Sequence, residues 1–172
     1  MSDPVQLQSW QQASQPPLQH SWRGRLLTRL FHLYFRFQRP MTLGVRGMAF
    51  DNEGRIFLVR HTYIPGWHLP GGGIETDEAA HEALIREVAE EGNLILTEPP
   101  KLFGFYFNKA VRRDHIALYV LHNVMQTAPR QPDREIAEAG FFAPTALPAG
   151  VTSATRLRIA EVMSGMPPSP FW

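Results

Sequence analysis

From Met41 onward the chain alternates between short apolar runs and tight polar breaks. Residues 42–50 alternate loosely and stop at Asp51-Asn52-Glu53-Gly54, the pattern of a strand followed by a turn. Residues 56–59 have the length of a short buried strand, and Pro65-Gly66 and Pro70-Gly71-Gly72-Gly73 then interrupt the chain. Residues 78 to about 91 follow the period of a helix. Residues 94–96, 102–107, 116–124 and 140–142 read as strands, and 155–163 as a closing helix. Strands and helices interleaved in this way, with hairpin-length turns between strands, predict an α/β (α+β) fold in which helices cover a mixed sheet.

The pattern ahead of Met41 is different. Residues 1–20 have no hydrophobic period, which predicts a flexible tail. Residues 22–37 are apolar and basic together. Leu26, Leu27, Leu30, Phe31, Leu33, Tyr34 and Phe37 recur at near-helical spacing, with Arg23, Arg25, Arg29 and Arg36 interspersed and Pro40 at the end. This predicts a basic amphipathic helix over 21–40. Three uses stay open for it: packing on the main domain or on a second subunit of a homodimer, lying on a membrane surface, and docking a partner or closing the active site. The resulting division is a tail at 1–20, the basic helix at 21–40, the main domain at 41–165 and a C-terminal tail at 166–172.

Composition narrows the chemistry. With 44% apolar residues in 172, the chain can bury a sizeable core. It has no cysteine, which excludes disulfides, thiolate metal sites and a cysteine nucleophile. A formal net charge of +1 gives no general drive toward nucleic acid, and no nucleic-acid partner is expected. No apolar run approaches the roughly 18 residues of a membrane span, and the polar first 19 residues do not resemble a signal peptide. The expected location is therefore cytoplasmic.

The informative stretch is 71–94. Its central part, placed on a helix of 3.6-residue period, puts Leu84, Val88 and Ile85 on one side of Ala80 as an apolar stripe. Glu91 and Glu87 fall close to either side of the Ala80 direction, at the edge of that stripe, and Glu90 falls farther round, away from it. A solvated acidic face belongs opposite the apolar one, so this placement is unusual. Like charges at i,i+3 and i,i+4 repel, and the C-terminal end of a helix disfavours anions. A bound divalent cation resolves the conflict, because carboxylate oxygens are hard ligands that suit Mg2+ or Mn2+. Arg86 is spaced to pair with Glu90 at i,i+4. The glycines of 71–73 allow close backbone approach. Placed before a helix N-terminus, their N–H groups are candidates for phosphate contact; a tight strand-to-helix turn is the plainer reading.

These residues resemble the Nudix box, G-x5-E-x7-R-E-U-x-E-E-x-G-U with U a bulky aliphatic residue. Gly72, Glu78, Arg86, Glu87, Val88, Glu90, Glu91 and Leu94 fall in register. Trp67-His68-Leu69-Pro70-Gly71-Gly72-Gly73 is similar to the usual lead-in, and the strand pattern extends the resemblance over about residues 42–163. The family's final Gly position holds Asn93 here, the non-Gly residue that best tolerates a left-handed backbone.

The resemblance implies the α/β/α sandwich of the Nudix fold, with the box as a loop–helix–loop. It implies metal coordination by Glu87 and Glu91, with Glu90 joining or assisting and the Gly72 backbone touching metal or phosphate. It gives Arg86 the task of orienting the carboxylates and Glu78 a supporting place beside it. The implied activity is Mg2+- or Mn2+-dependent hydrolysis of a pyrophosphate bond in a nucleoside diphosphate linked to another group, of the ADP-ribose or nucleotide-sugar type. Glu91, Glu90 and Glu135 are the candidates for the general base. Glu135 is singled out among Asp133, Glu135 and Glu138 because family members often place a functional Glu in that region. Arg46, Arg60 and Arg112 are candidate phosphate contacts beside Gly72, with Arg113, His61 and His115 behind them. Tyr63, Trp67, Phe105 and Phe107 are candidates for stacking on a base, core packing being the plainer reading for the Phe residues. The alternative is a non-catalytic Nudix-like nucleotide-binding or regulatory module, but such modules typically have eroded boxes. Isopentenyl diphosphate isomerisation relies on a cysteine that this chain lacks.

Overall fold

The computed structural model describes residues 41–172. The tail and basic helix expected over 1–40 lie outside the described residues. Strand β1 (Thr42–Ala49) pairs in parallel with β5 (Asp114–Leu121), whose other edge carries β4 (Lys101–Asn108) in antiparallel register. Strand β2 (Ile56–His61) pairs antiparallel with β7 (Ile136–Phe142), and the two-residue strands β3 (Leu94–Ile95) and β6 (Met125–Gln126) pair likewise. Helix α1 (Ala80–Gly92) precedes β3, and helix α2 (Ser153–Ser164) follows β7.

The two-residue period of the strands sorts the core into two layers. Val45 and Ala49 of β1, Phe57 and Val59 of β2, and Ala117 and Leu121 of β5 are buried with Ala83, Leu84 and Val88 of α1. The alternate positions Met48, Ile56, Leu58, Leu118 and Val120 are buried with Ile159 of α2 and with Trp67, Leu69 and Tyr106. One helix therefore covers each face, giving the α/β/α sandwich with a mixed sheet. Each fully buried Leu or Phe contributes about 1.5–3 kcal/mol.

Helix α1 begins two residues later than its period predicts. Ala79 is its N-cap, and the Glu82 carboxylate accepts from the Ala79 N–H at 3.0 Å. Glu78 stays in the preceding turn, where Asp77 is left-handed with φ 65°. Asn93 closes the helix in the left-handed region (φ 53°), its N–H donating to the Ala89 carbonyl at 2.9 Å, so Asn takes the conformation that Gly takes in the family pattern.

Three further boundaries differ from the sequence reading. Strand β5 ends at Leu121 rather than 124, because Asn123 turns the chain at φ 52°. Strand β7 starts at Ile136 rather than 140, because Ile136–Ala139 already pairs with the end of β2. The residues expected as a C-terminal tail fold back on the domain. Phe171 bridges to Phe107, the Trp172 N–H donates to the Phe107 carbonyl at 3.0 Å, and Arg158 donates to the Phe171 carbonyl at 2.6 Å.

Candidate active site

The glycine segment runs along the edge of β1 that β5 leaves free. Val45 N–H donates to the Gly72 carbonyl at 2.9 Å, Gly47 N–H to the Pro70 carbonyl at 2.8 Å, and Ile74 N–H to the Leu43 carbonyl at 2.9 Å. This corrects the expectation of a loop directly before a helix N-terminus, since residues 74–79 separate it from α1. Gly71 has φ +138°, and a Cβ there would sit 2.1 Å from the Val45 carbonyl oxygen, so the close strand contact requires glycine.

Glu91 is the buried member of the helix carboxylates, at 5% exposure. Its Oε2 accepts from the Gly71 N–H at 2.8 Å, and its Oε1 lies 3.5 Å from His61 Nε2. Burial is the main cause that pushes its pKa up to about 7; the Gly71 N–H and Arg46 pull it down, while Glu87 and Glu135 add to the rise. A cation at this carboxylate would offset the cost of its burial.

Glu87 stands against the next glycine, Gly72. Arg86 organises it: Nη1 donates to Glu87 Oε1 at 2.8 Å, while Nε and Nη2 donate to Glu78 Oε1 and Oε2 at 2.9 and 3.1 Å. This two-point grip on Glu78 raises the Arg86 pKa and lowers that of Glu78. The i,i+4 partner Glu90 lies farther from Arg86, at 3.5 Å, and stays mostly exposed. A Cβ on Gly72 would fall 2.3 Å from Glu87 Oε1, so only glycine leaves room for that carboxylate.

Glu135 reaches the same place from the stretch before β7. One donor atom each from His61, Glu91 and Glu135 lies within 4.8 Å of the others. Glu135 Oε1 also accepts from the exposed Tyr63 hydroxyl at 3.4 Å. Asp133 instead caps its own turn, accepting the Glu135 and Ile136 N–H groups at 2.8 Å each, and those bonds with the Arg130 pair hold its pKa down at about 2.

Beside the glycine segment lies a cavity of about 250 Å³, whose lining includes Arg46, Gly72, Gly73, His68, Asn108 and Trp172. Arg46 donates through Nη1 to the carbonyls of Leu69 (3.3 Å) and Gly71, so it braces the loop as well as facing the cavity. The other cationic candidates are placed differently. Arg60 is paired with Glu138 at 2.8 Å. Arg112 and Arg113 lie in the β4–β5 turn, whose base residues Asn108 and Asp114 line the cavity. Trp67 is buried edge-on against Phe142, a core place rather than a stacking platform. Phe105 and Phe107 flank His115 at 5.3 and 5.4 Å.

Two participants are invisible in the spacing. The Gly71 N–H carries the bond to Glu91, although the box aligns Gly72. Trp172 reaches the cavity from a segment without hydrophobic period. The donors at hand suit a divalent cation: Glu87, Glu90 and Glu91 supply hard oxygens, and the buried Glu91 is under-compensated without one.

The NUDIX domain family model matches residues 40–162. Among curated relatives, an RNA pyrophosphohydrolase of Gluconobacter oxydans is 43% identical over 58 residues, covering 30% of this chain and 34% of that protein. A MutT-like protein of Streptomyces ambofaciens is 36% identical over 67 residues, covering 39% and 43%. The match thus spans between a third and a half of these relatives. Among solved structures, a MutT NUDIX hydrolase from Burkholderia pseudomallei is 26% identical with a TM-score of 0.61, covering 70% of this chain and 97% of that one. An ADP-ribose pyrophosphatase from Streptococcus suis shares the fold at 23% identity and a TM-score of 0.52, covering 76% and 95%. With the family model spanning most of its length and the box carboxylates gathered at the glycine segment, this chain belongs to the NUDIX domain family.

Proposed function

We propose that this chain hydrolyses the pyrophosphate bond of a nucleoside diphosphate linked to a second group, with ADP-ribose and nucleotide sugars as the substrate class. The observation that carries the proposal is that Glu91 and Glu87 meet the consecutive glycines Gly71 and Gly72, with Glu135 beside Glu91, Arg86 fixing Glu87 and a cavity lined by Gly72. The substrate class is the one implied by the resemblance to the Nudix box, on a fold shared with a protein named ADP-ribose pyrophosphatase.

Glu87 and Glu91 would hold Mg2+ or Mn2+, which when bound neutralises pyrophosphate charge and lowers the pKa of a coordinated water. Arg86 keeps the Glu87 carboxylate turned toward the Gly72 gap. Arg46 lends positive charge at the cavity wall, where developing charge on phosphate oxygens needs it. Water oxygen bonds to one phosphorus, the bond from that phosphorus to the bridging oxygen breaks, and the second phosphate leaves with that oxygen. We assign the water proton to Glu90, which is exposed beside Glu87, because Glu135 stands instead against Glu91 and His61. The cavity, with Trp172 on its wall, suits the nucleoside part.

The test is product analysis on a panel of ADP-ribose, nucleotide sugars, dinucleoside polyphosphates, nucleoside triphosphates and 5′-triphosphorylated RNA. The last is included because relatives carry the name RNA pyrophosphohydrolase. Cation-dependent cleavage of ADP-ribose or a nucleotide sugar is the expected result. A folded, cation-binding protein that cleaves none of them is instead a nucleotide-binding module. Glu90→Gln should lower kcat at saturating cation; unchanged kcat removes Glu90 as the base.

A further inference from the structure

We infer that the His61 imidazole, with Glu135, joins Glu91 around the cation that Glu91 holds, adding a nitrogen donor to that site and with it a preference for first-row transition-metal ions such as Mn2+ over Mg2+. The inference deepens the proposed function and rests on it for the Glu91 site.

His61 ends β2, where the register with β7 shifts between Arg60 and His61. Only 7% of the residue is exposed, and its Nδ1 is buried with no hydrogen-bond partner among the described residues. More than about 90% of buried polar groups are partnered, so the ring is poorly satisfied by the protein alone, and it is the other nitrogen, Nε2, that faces the carboxylates. The ring is not spare packing on an apolar face. Nε2 lies 3.5 Å from Glu91 Oε1, and one donor atom from each of His61, Glu91 and Glu135 falls within 4.8 Å of the others. Donors about 2.1 Å from a common ion lie roughly 3 Å apart when adjacent and roughly 4.2 Å when opposite. Small side-chain movements close the remaining gap. The backbone already holds Glu135 in place: the Thr62 N–H donates to its carbonyl at 2.9 Å, and its own N–H donates to Asp133.

Mg2+ favours oxygen ligands and keeps its waters, whereas imidazole nitrogen raises affinity for the transition series.

The test uses the full chain loaded with Mn2+ alone and read by electron spin-echo spectroscopy, which detects 14N coupled to the bound ion. Wild type should show imidazole 14N coupling. The neighbouring His68→Ala variant should keep it, and His61→Ala should lose it. Mn2+ affinity in His61→Ala should fall by at least about 10-fold, a typical cost for loss of even a supporting partner. Mg2+ affinity should change by less than roughly threefold. His61→Gln provides a second variant of similar bulk, and if neither variant folds, a wild-type spectrum without 14N coupling still overturns the assignment, while coupling that survives in His68→Ala supports it. Bound Mn2+ without 14N coupling in wild type, or coupling that survives in His61→Ala, overturns the assignment. Substrate cleavage by a protein without that coupling would overturn the assignment and spare the proposed function. Coupling in a protein that cleaves nothing on the panel would do the reverse.

Discussion

Gly72→Ala isolates the positioning of Glu87 from its chemistry. The Cβ it adds would lie 2.3 Å from Glu87 Oε1, 2.5 Å from Cδ and 2.7 Å from Oε2, whereas ordinary contact begins at 3.4 Å. The carboxylate must therefore withdraw by roughly 1 Å, and a misplacement of that size costs about 100-fold in rate, or about 2.7 kcal/mol of barrier. Arg86 resists the movement, because it grips Glu87 and Glu78 at once. Folding should suffer little, since the backbone at Gly72 is not left-handed and what it crowds is a side-chain end. Gly71→Ala is the contrasting variant: its Cβ meets the Val45 carbonyl and Arg46 Cα, so it should lose stability as well as activity. The assay is kcat/KM and Mn2+ affinity for Gly72→Ala beside its melting temperature. Unchanged kcat/KM in a variant that binds the cation normally would show that Glu87 does not work from the position it takes beside Gly72.

Three further predictions concern neighbouring residues. The pKa of Glu91, near 7 in the folded chain and usually 4.5, means that between these values the folded state holds a proton that the unfolded state has lost. Stability therefore falls as pH rises through that window, and the charged carboxylate costs on the order of 3 kcal/mol above it. Metal-free Glu91→Gln should then melt higher than wild type at pH 8 and converge with it toward pH 5; equal melting at pH 8 would show that the carboxylate carries no such penalty. Arg86→Lys keeps the charge but loses the fork that spans Glu78 and Glu87, so kcat should fall by about 10- to 100-fold, and a wild-type rate would reduce Arg86 to a surface ion pair. Trp172→Ala removes a wall of the 250 Å³ cavity, so KM for the cleaved panel compound should rise by about 10-fold with a smaller change in kcat; an unchanged KM would place the nucleoside elsewhere.

The helix part of the site is legible in the sequence because it is local. Glu87, Glu90, Glu91 and Arg86 lie within two turns, so a 3.6-residue period suffices to place the carboxylates at the edge of the apolar stripe. The rest depends on tertiary pairing. Nothing in the spacing tells that Gly71, rather than Gly72, lends its N–H to Glu91, because that follows from how tightly the loop lies on β1. His61 reads as a candidate phosphate contact at the end of a strand, and only the fold shows it buried beside Glu91 instead. Glu135 stands out among its neighbours by the resemblance alone, and its approach to Glu91 is a long-range contact. Arg60 has the character of a phosphate ligand, yet Glu138 across the β2–β7 ladder takes its charge. The segment 166–172, rich in proline, lacks any period, and it docks on Arg158 and Glu161 of α2 and on Tyr106 of β4, which only the tertiary fold brings together.

The most direct test of the pyrophosphate-cleaving reading is a comparison of wild type and Glu91→Gln on the substrate panel, with Mn2+ present, in 18O-labelled water. The account predicts that wild type cleaves a nucleoside diphosphate derivative and leaves one 18O in a single phosphate-containing product, while the variant, folded and at least as stable, slows by orders of magnitude. Cleavage at an equal rate by Glu91→Gln, or no cleavage by a wild-type protein that binds the cation, would contradict it.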